Sequence, residues 1–114
     1  MQVTRLAEAR SYEAPGHHGM LPLRLQGFDV SDTQNFWIGL SHFLPGGGAE
    51  QEATPVEKVY VVLAGEITVT TGDGETTLRP MDSCRLAPGE ARAIQNRTNL
   101  PASMLVAMPY PPGK

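Results

Sequence analysis

The sequence predicts an all-β fold, an antiparallel sandwich or barrel of short strands. Two observations carry that prediction. Twelve Gly and ten Pro in 114 residues interrupt any long helical pattern. Short apolar segments recur between turn signals such as Gly72-Asp73-Gly74 and Pro88-Gly89, the rhythm of strands joined by tight turns. The length suits one domain with one modest core, since domains commonly run to roughly 100–150 residues.

Residues 1–12 carry Val3, Leu6, Ala7 and Ala9 without a clean period, so a strand and a short helical turn both remain open there. Ala14-Pro15-Gly16-His17-His18-Gly19 joins a Pro-Gly turn signal to flanking glycines and reads as a loop. From Met20 to Gln26, Leu21, Leu23 and Leu25 alternate at period two as in a half-buried strand, with Pro22 suggesting a sheet edge. After the polar turn 31–35, Phe36 to Leu44 reads as a strand that ends in a loop at Pro45-Gly46-Gly47-Gly48. Ala49 to Thr54 reads as a short polar strand, and Pro55 turns the chain into a strand from Lys58 to Leu63. Glu66 to Thr71 and Glu75 to Leu78 flank Gly72-Asp73-Gly74, an Asp-Gly hairpin signal. Ser83 to Leu86, Ala91 to Asn96 and Ser103 to Met108 are the last strands expected.

Composition narrows the function classes. The net charge is −3 and the nine Lys and Arg are scattered, so no basic stripe offers itself to a phosphate backbone, and nucleic acid is not expected as a partner. The longest aliphatic run, Val59 to Ala64, falls far short of the ~20 residues a membrane helix needs, and residues 1–10 lack a hydrophobic targeting core. No membrane partner is expected. The single Cys84 cannot form an internal disulfide or a thiolate metal cluster, which fits a reducing cytoplasm.

One stretch has a recognisable frame. Gly46, Glu52, Thr54, Lys58 and Gly65 fit a pattern of glycine, five residues, His-x-His, three or four residues, Glu, six residues, glycine, with every spacing kept. Met81, Ala87-Pro88-Gly89, Arg92 and Asn96 follow a second pattern of glycine, five residues, Pro-x-Gly, two residues, His, three residues, Asn. In these motifs, which with the hairpin between them span 46–96, the chain resembles a small single-domain cupin. The resemblance implies an antiparallel jelly-roll β-barrel, usually dimeric, with one pocket at its wide end. On that reading residues 1–114 form one domain: an N-terminal arm and loop over 1–19, a barrel over 20–109 and a tail over 110–114.

The resemblance also implies that the two motif-one histidines, the glutamate and the motif-two histidine hold a divalent metal. Here those positions are Glu52, Thr54, Lys58 and Arg92. A divalent metal needs imidazole nitrogens or carboxylate oxygens converging at about 2 Å. Two cations there repel it, so neither a metal nor another cofactor is expected. Strand alternation places Tyr60 inside beside Lys58 and turns Glu57 and Val59 outward. Two uses of such a site compete. Glu52 between Lys58 and Arg92 would make a structural ion cluster. Alternatively, since one carboxylate cannot neutralise two cations, the pocket takes a small anion, a carboxylate or a sugar derivative, unless Glu50 or Glu57 turns inward.

In the second case Arg92 would grip the anion through its planar fork, with Thr54 and His42 as further binding groups. Lys58, with a depressed pKa, would act as base or Schiff-base amine, Glu52 as the opposite proton carrier and Tyr60 as an acid. Such a set suits isomerisation, epimerisation, elimination or decarboxylation next to a carbonyl, without metal. A non-catalytic binding or sensor module needs the same pocket. His17 and His18 read either as solvated loop residues or as ligands, and His42 as a core residue or a pocket wall. A displaced metal site built from His17 or His18, His42 and Glu52 is a further alternative. Phe36 and Trp37 read as core or dimer contacts, Met104 and Met108 as core or pocket lining, and Cys84 as a small buried residue whose pKa burial raises.

Overall fold

The structure, a computed structural model, describes residues 1–111; most of the expected 110–114 tail lies outside the described residues. Strands dominate: β1 (Arg10–Ser11), β2 (His17–Gln26), β3 (Trp37–Glu52), β4 (Lys58–Ala64), β5 (Ile67–Thr71), β6 (Gly74–Leu78), β7 (Ser83–Leu86), β8 (Arg92–Gln95) and β9 (Ala102–Met108). All pairings are antiparallel. The strands follow the order β6-β5-β8-β3-β9-β4-β7, with β2 beside β3 and β1 beside β2. The two ends of this path, β6 and β7, are consecutive in the chain, so the sheet curls into a nearly closed jelly-roll barrel. Alternation fills its interior: on β4, Lys58, Tyr60 and Val62 are buried while Val59 and Val61 are only half covered. Phe43, Ile67, Ile94 and Met104 meet Tyr60 and Val62 in the core.

The expected hairpin forms. Thr71 pairs with Gly74, leaving Gly72-Asp73 as a two-residue connection. In the open N-terminal stretch both alternatives occur, a 3-10 turn at Leu6–Glu8 followed by two-residue β1. Pro22 lies one strand in from the edge, and its carbonyl accepts the Tyr12 N–H at 3.2 Å.

One expected loop is strand instead, and the other keeps its turn at Pro15-Gly16 but is strand from His17 on. β2 begins at His17, because His17 and His18 pair with Ala49 and Gly48; only a register shift between His18 and Met20 interrupts it. β3 runs unbroken through Pro45-Gly46-Gly47-Gly48, pairing with β9 in its first half, with β8 in its second and with β2 in both. These glycines serve close packing. A Cβ on Gly47 would stand 2.1 Å from the Gly19 carbonyl oxygen, and one on Gly48 2.1 Å from that of Ile94. Gly46, at φ +82, supplies the bend that lets one strand join both sides of the barrel.

Asn96 secures that bend. It is fully buried, and its Nδ2 donates to the carbonyls of Phe43, Leu44 and Leu100 at 3.3, 3.2 and 2.8 Å. Its Oδ1 accepts from the N–H and hydroxyl of Thr98 at 3.0 and 2.8 Å, so every polar atom of the buried amide has a partner. Met81 occupies the glycine position of the second motif and takes a glycine-like φ of 74.

Candidate functional site

Four elements bring the site together. β4 supplies Lys58 and Tyr60, β8 supplies Arg92, the end of β3 and the following turn supply Glu52 and Thr54, and the N-terminal arm covers the opening with Tyr12 to Pro15. They line a cavity of about 350 Å³, within the ordinary range for small-molecule sites. The motif positions therefore converge on one space, with Tyr60 beside Lys58 as alternation requires.

Lys58 and Arg92 are 2% and 4% exposed. Buried charges are normally paired. Among the described residues, however, the ion pairs are Arg10–Asp29, Arg79–Glu66, Arg85–Glu57 and Arg97–Glu75, all at the surface. The structural ion cluster does not form. Glu57 is taken by Arg85 on the outside, and Glu52, although opposite Arg92 in register, is exposed and leans on the Gly16 turn, 3.7 Å from where a Gly16 Cβ would lie. Glu50 is exposed as well and offers Arg92 only its carbonyl. Neither buried cation is therefore ion-paired among the described residues.

The hydrogen bonds of Arg92 correct the expected grip. Its Nε donates to the Tyr60 hydroxyl oxygen at 2.8 Å and its Nη1 to the Glu50 carbonyl at 3.0 Å. A guanidinium has five N–H donors. Two are thus committed to holding the group in place, and Nη2 has no partner among the described residues. Because the Tyr60 oxygen accepts from Arg92, its own O–H is left to donate elsewhere. Burial pushes the Tyr60 phenol upward in pKa, and Arg92 partly opposes this, so it is held protonated. Lys58 moves the other way: burial lowers it below the usual 10.5, Arg92 lowers it further, and Glu52 opposes both. The depressed lysine inferred from the motif is therefore present. Burial also raises Cys84, as expected.

The remaining candidates scatter. His42 lies on the opposite face of β3 from Ser41 and Phe43, which line the cavity, and its Nδ1 is 2.8 Å from the Ser103 hydroxyl on β9. It is not a pocket wall. His17 does line the cavity, with Nδ1 3.1 Å from the Pro15 carbonyl, whereas His18 faces a different surface near Thr70 and Glu75. The displaced metal set is thus spread over three places, and among the described residues no group of three His, Cys, Asp or Glu side chains gathers where a cation could sit. The motif positions do not fit a divalent metal either, since a buried ammonium and guanidinium hold two of the four. Thr54 is half-buried at the cavity rim.

Trp37, Met104 and Met108 line the cavity, while Phe36 is half exposed. Tyr12 and Glu13 were not legible as site residues, because nothing periodic marks the arm. Tyr12 is positioned by aromatic contacts: the Arg24 guanidinium sits 4.3 Å from its ring centre and 3.7 Å from that of Phe28, and Trp37 meets Tyr12 edge-on at 5.9 Å. The Trp37 site role was legible in principle. It shares the inward face of β3 with Ser41 and Phe43 by strict alternation, the same count that excludes His42.

Comparison with known proteins agrees with this architecture. A profile for the cupin domain matches residues 39–108. A protein of Mycobacterium tuberculosis named β-D-galactosidase Rv1717 is 48% identical over 111 residues, 97% of this chain and 96% of that one. Among solved structures, the polyketide cyclase RemF of Streptomyces resistomycificus superposes with a TM-score of 0.85 at 16% identity, covering 96% of this chain and 79% of that one. A sugar phosphate isomerase of the cupin superfamily from Silicibacter pomeroyi gives a TM-score of 0.73 at 24% identity, covering 82% of this chain and 61% of that one. At such identities the structural likeness concerns the fold. With the motif frame, the barrel and the family match in agreement, the chain belongs to the cupin family.

Proposed function

We propose that this cupin binds a small anionic metabolite, a carboxylate or an acidic sugar derivative, in its barrel without a metal, and moves a proton on it. One observation carries the reading: two buried cations, Lys58 and Arg92, share a cavity with no carboxylate within ion-pairing distance of either among the described residues. An anion offsets part of their desolvation cost. The unengaged Nη2 of Arg92, the Lys58 amine and the Tyr60 O–H supply donors of the right kind. Lys58 is the base in its neutral form, which its lowered pKa favours; protonated Tyr60 is the acid that steadies charge on a carbonyl oxygen; Glu52 at the rim is the second proton carrier. The sugar class is suggested by the relative named a β-D-galactosidase.

Calorimetric titration with a carboxylate panel that includes D-galacturonate, with D-galactose as the uncharged control, tests the reading. Lys58→Met should weaken carboxylate binding about tenfold or more, the loss expected when one charged hydrogen bond disappears. Equal affinity in wild type and variant would overturn the reading. Exchange of an acidic ligand hydrogen with deuterated water then separates an enzyme from a binding module.

A second reading has its own observation. Glu13 and Glu52 both line the cavity, and glycoside hydrolysis uses a pair of carboxyl groups. Release of nitrophenol from nitrophenyl β-D-galactopyranoside, abolished by Glu52→Gln and by Glu13→Gln, would favour hydrolysis over binding of a free acid.

A further inference from the structure

The anion site occupies part of the cavity, and the lining next to it is different in kind. The pairing register sorts the two. Trp37 pairs with Met108 and Ser41 with Met104 across β3 and β9, while Val106 pairs with Tyr60 across β9 and β4. Alternation along β9 therefore turns Met104, Val106 and Met108 inward together, and all three line the cavity with Met20, Trp37 and Phe43. These six adjoin the polar group of Lys58, Tyr60 and Arg92 and have no ionisable side chain among them. Three are methionines, whose unbranched thioethers adapt to irregular apolar shapes and favour aromatic rings at their edge.

The Trp37 indole N–H, buried without a partner among the described residues, is the one N–H or O–H these six offer, so a free sugar acid or a small dicarboxylate would leave most of this wall facing polar atoms it cannot hydrogen-bond. We infer that the ligand is amphipathic: a carboxylate head for Lys58 and Arg92 joined to an apolar, ring-sized body that lies against Trp37 and the three methionines. The inference rests on the anion site proposed above and specifies what is attached to the anion. In chemical terms the class is an aryl-substituted carboxylic acid or an acidic glycoside with an aromatic aglycone.

Three probes separate head from body: acetate, phenylacetate and phenylethanol, each titrated into the wild-type protein. Phenylacetate should bind about tenfold or more tightly than acetate, the contribution expected from burying a ring, and phenylethanol should bind far more weakly than phenylacetate. Met108→Ser, checked for folding by circular dichroism, should weaken phenylacetate several-fold and leave acetate unchanged. Equal affinity for acetate and phenylacetate overturns the amphipathic inference and leaves the anion reading standing. Equal affinity for phenylacetate and phenylethanol sinks the anion reading while keeping the apolar wall. Absence of binding by all three at millimolar concentration overturns both.

Discussion

At the scale of single residues, Lys58 is the one whose placement runs against stability. A buried ammonium without a carboxylate costs more than an apolar side chain of similar size. Lys58→Met should therefore raise unfolding stability by about 1–3 kcal/mol while weakening the anion site, a trade expected where function keeps a destabilising group. The pH dependence follows from the lowered pKa. Folded Lys58 gives up its proton before unfolded Lys58 does, so in that window the unfolded state binds more protons and wild-type stability gains as pH rises. Urea denaturation should show the gap between variant and wild type narrowing as pH climbs toward 10.5, the ordinary lysine value. A constant gap would mean that Lys58 titrates normally. The substitutions at the motif positions were legible from spacing alone. That Glu52 would form no ion pair with either cation was not, because a cross-strand register fixes Cα positions and leaves a rim side chain free to choose its rotamer.

At the scale of elements, turn chemistry and alternation were readable, and glycine-rich strand was not. Gly72-Asp73-Gly74 gave its hairpin because Gly74 takes the positive φ of 118 that a side chain would resist. Pro45-Gly46-Gly47-Gly48 reads as a loop by the same chemistry, but the long-range closeness of β3 to β2 and β8 decides otherwise, and that closeness has no local signal. The distinction can be tested. Gly48→Ala should cost about 3 kcal/mol or more, since its Cβ would meet backbone at 2.1 Å, whereas Gly72→Ala, with open space around it, should be neutral or stabilise by up to about 1 kcal/mol. Met81→Gly should add about 1 kcal/mol by relieving the left-handed φ of 74 at an exposed turn. Each is checked by urea unfolding.

At the scale of the whole molecule, a chain of net charge −3 keeps two of its nine basic residues inside a barrel and pairs others with surface carboxylates. The barrel itself was legible, because two spaced motifs and a hairpin constrain most of the sheet. The arm that closes the cavity was not, since Tyr12 is placed by the Arg24 guanidinium and the rings of Phe28 and Trp37, contacts between parts of the chain that no local period announces. The proposed function rests on neither buried cation having an ion-pair partner before a ligand arrives. Nuclear magnetic resonance titration of the Lys58 side chain, free and with phenylacetate, measures this directly. Lys58 should titrate below 10.5 in the free protein and shift upward when the carboxylate binds; titration at or above the ordinary lysine value in the free protein, unmoved by the ligand, would contradict a buried cation that awaits an anion.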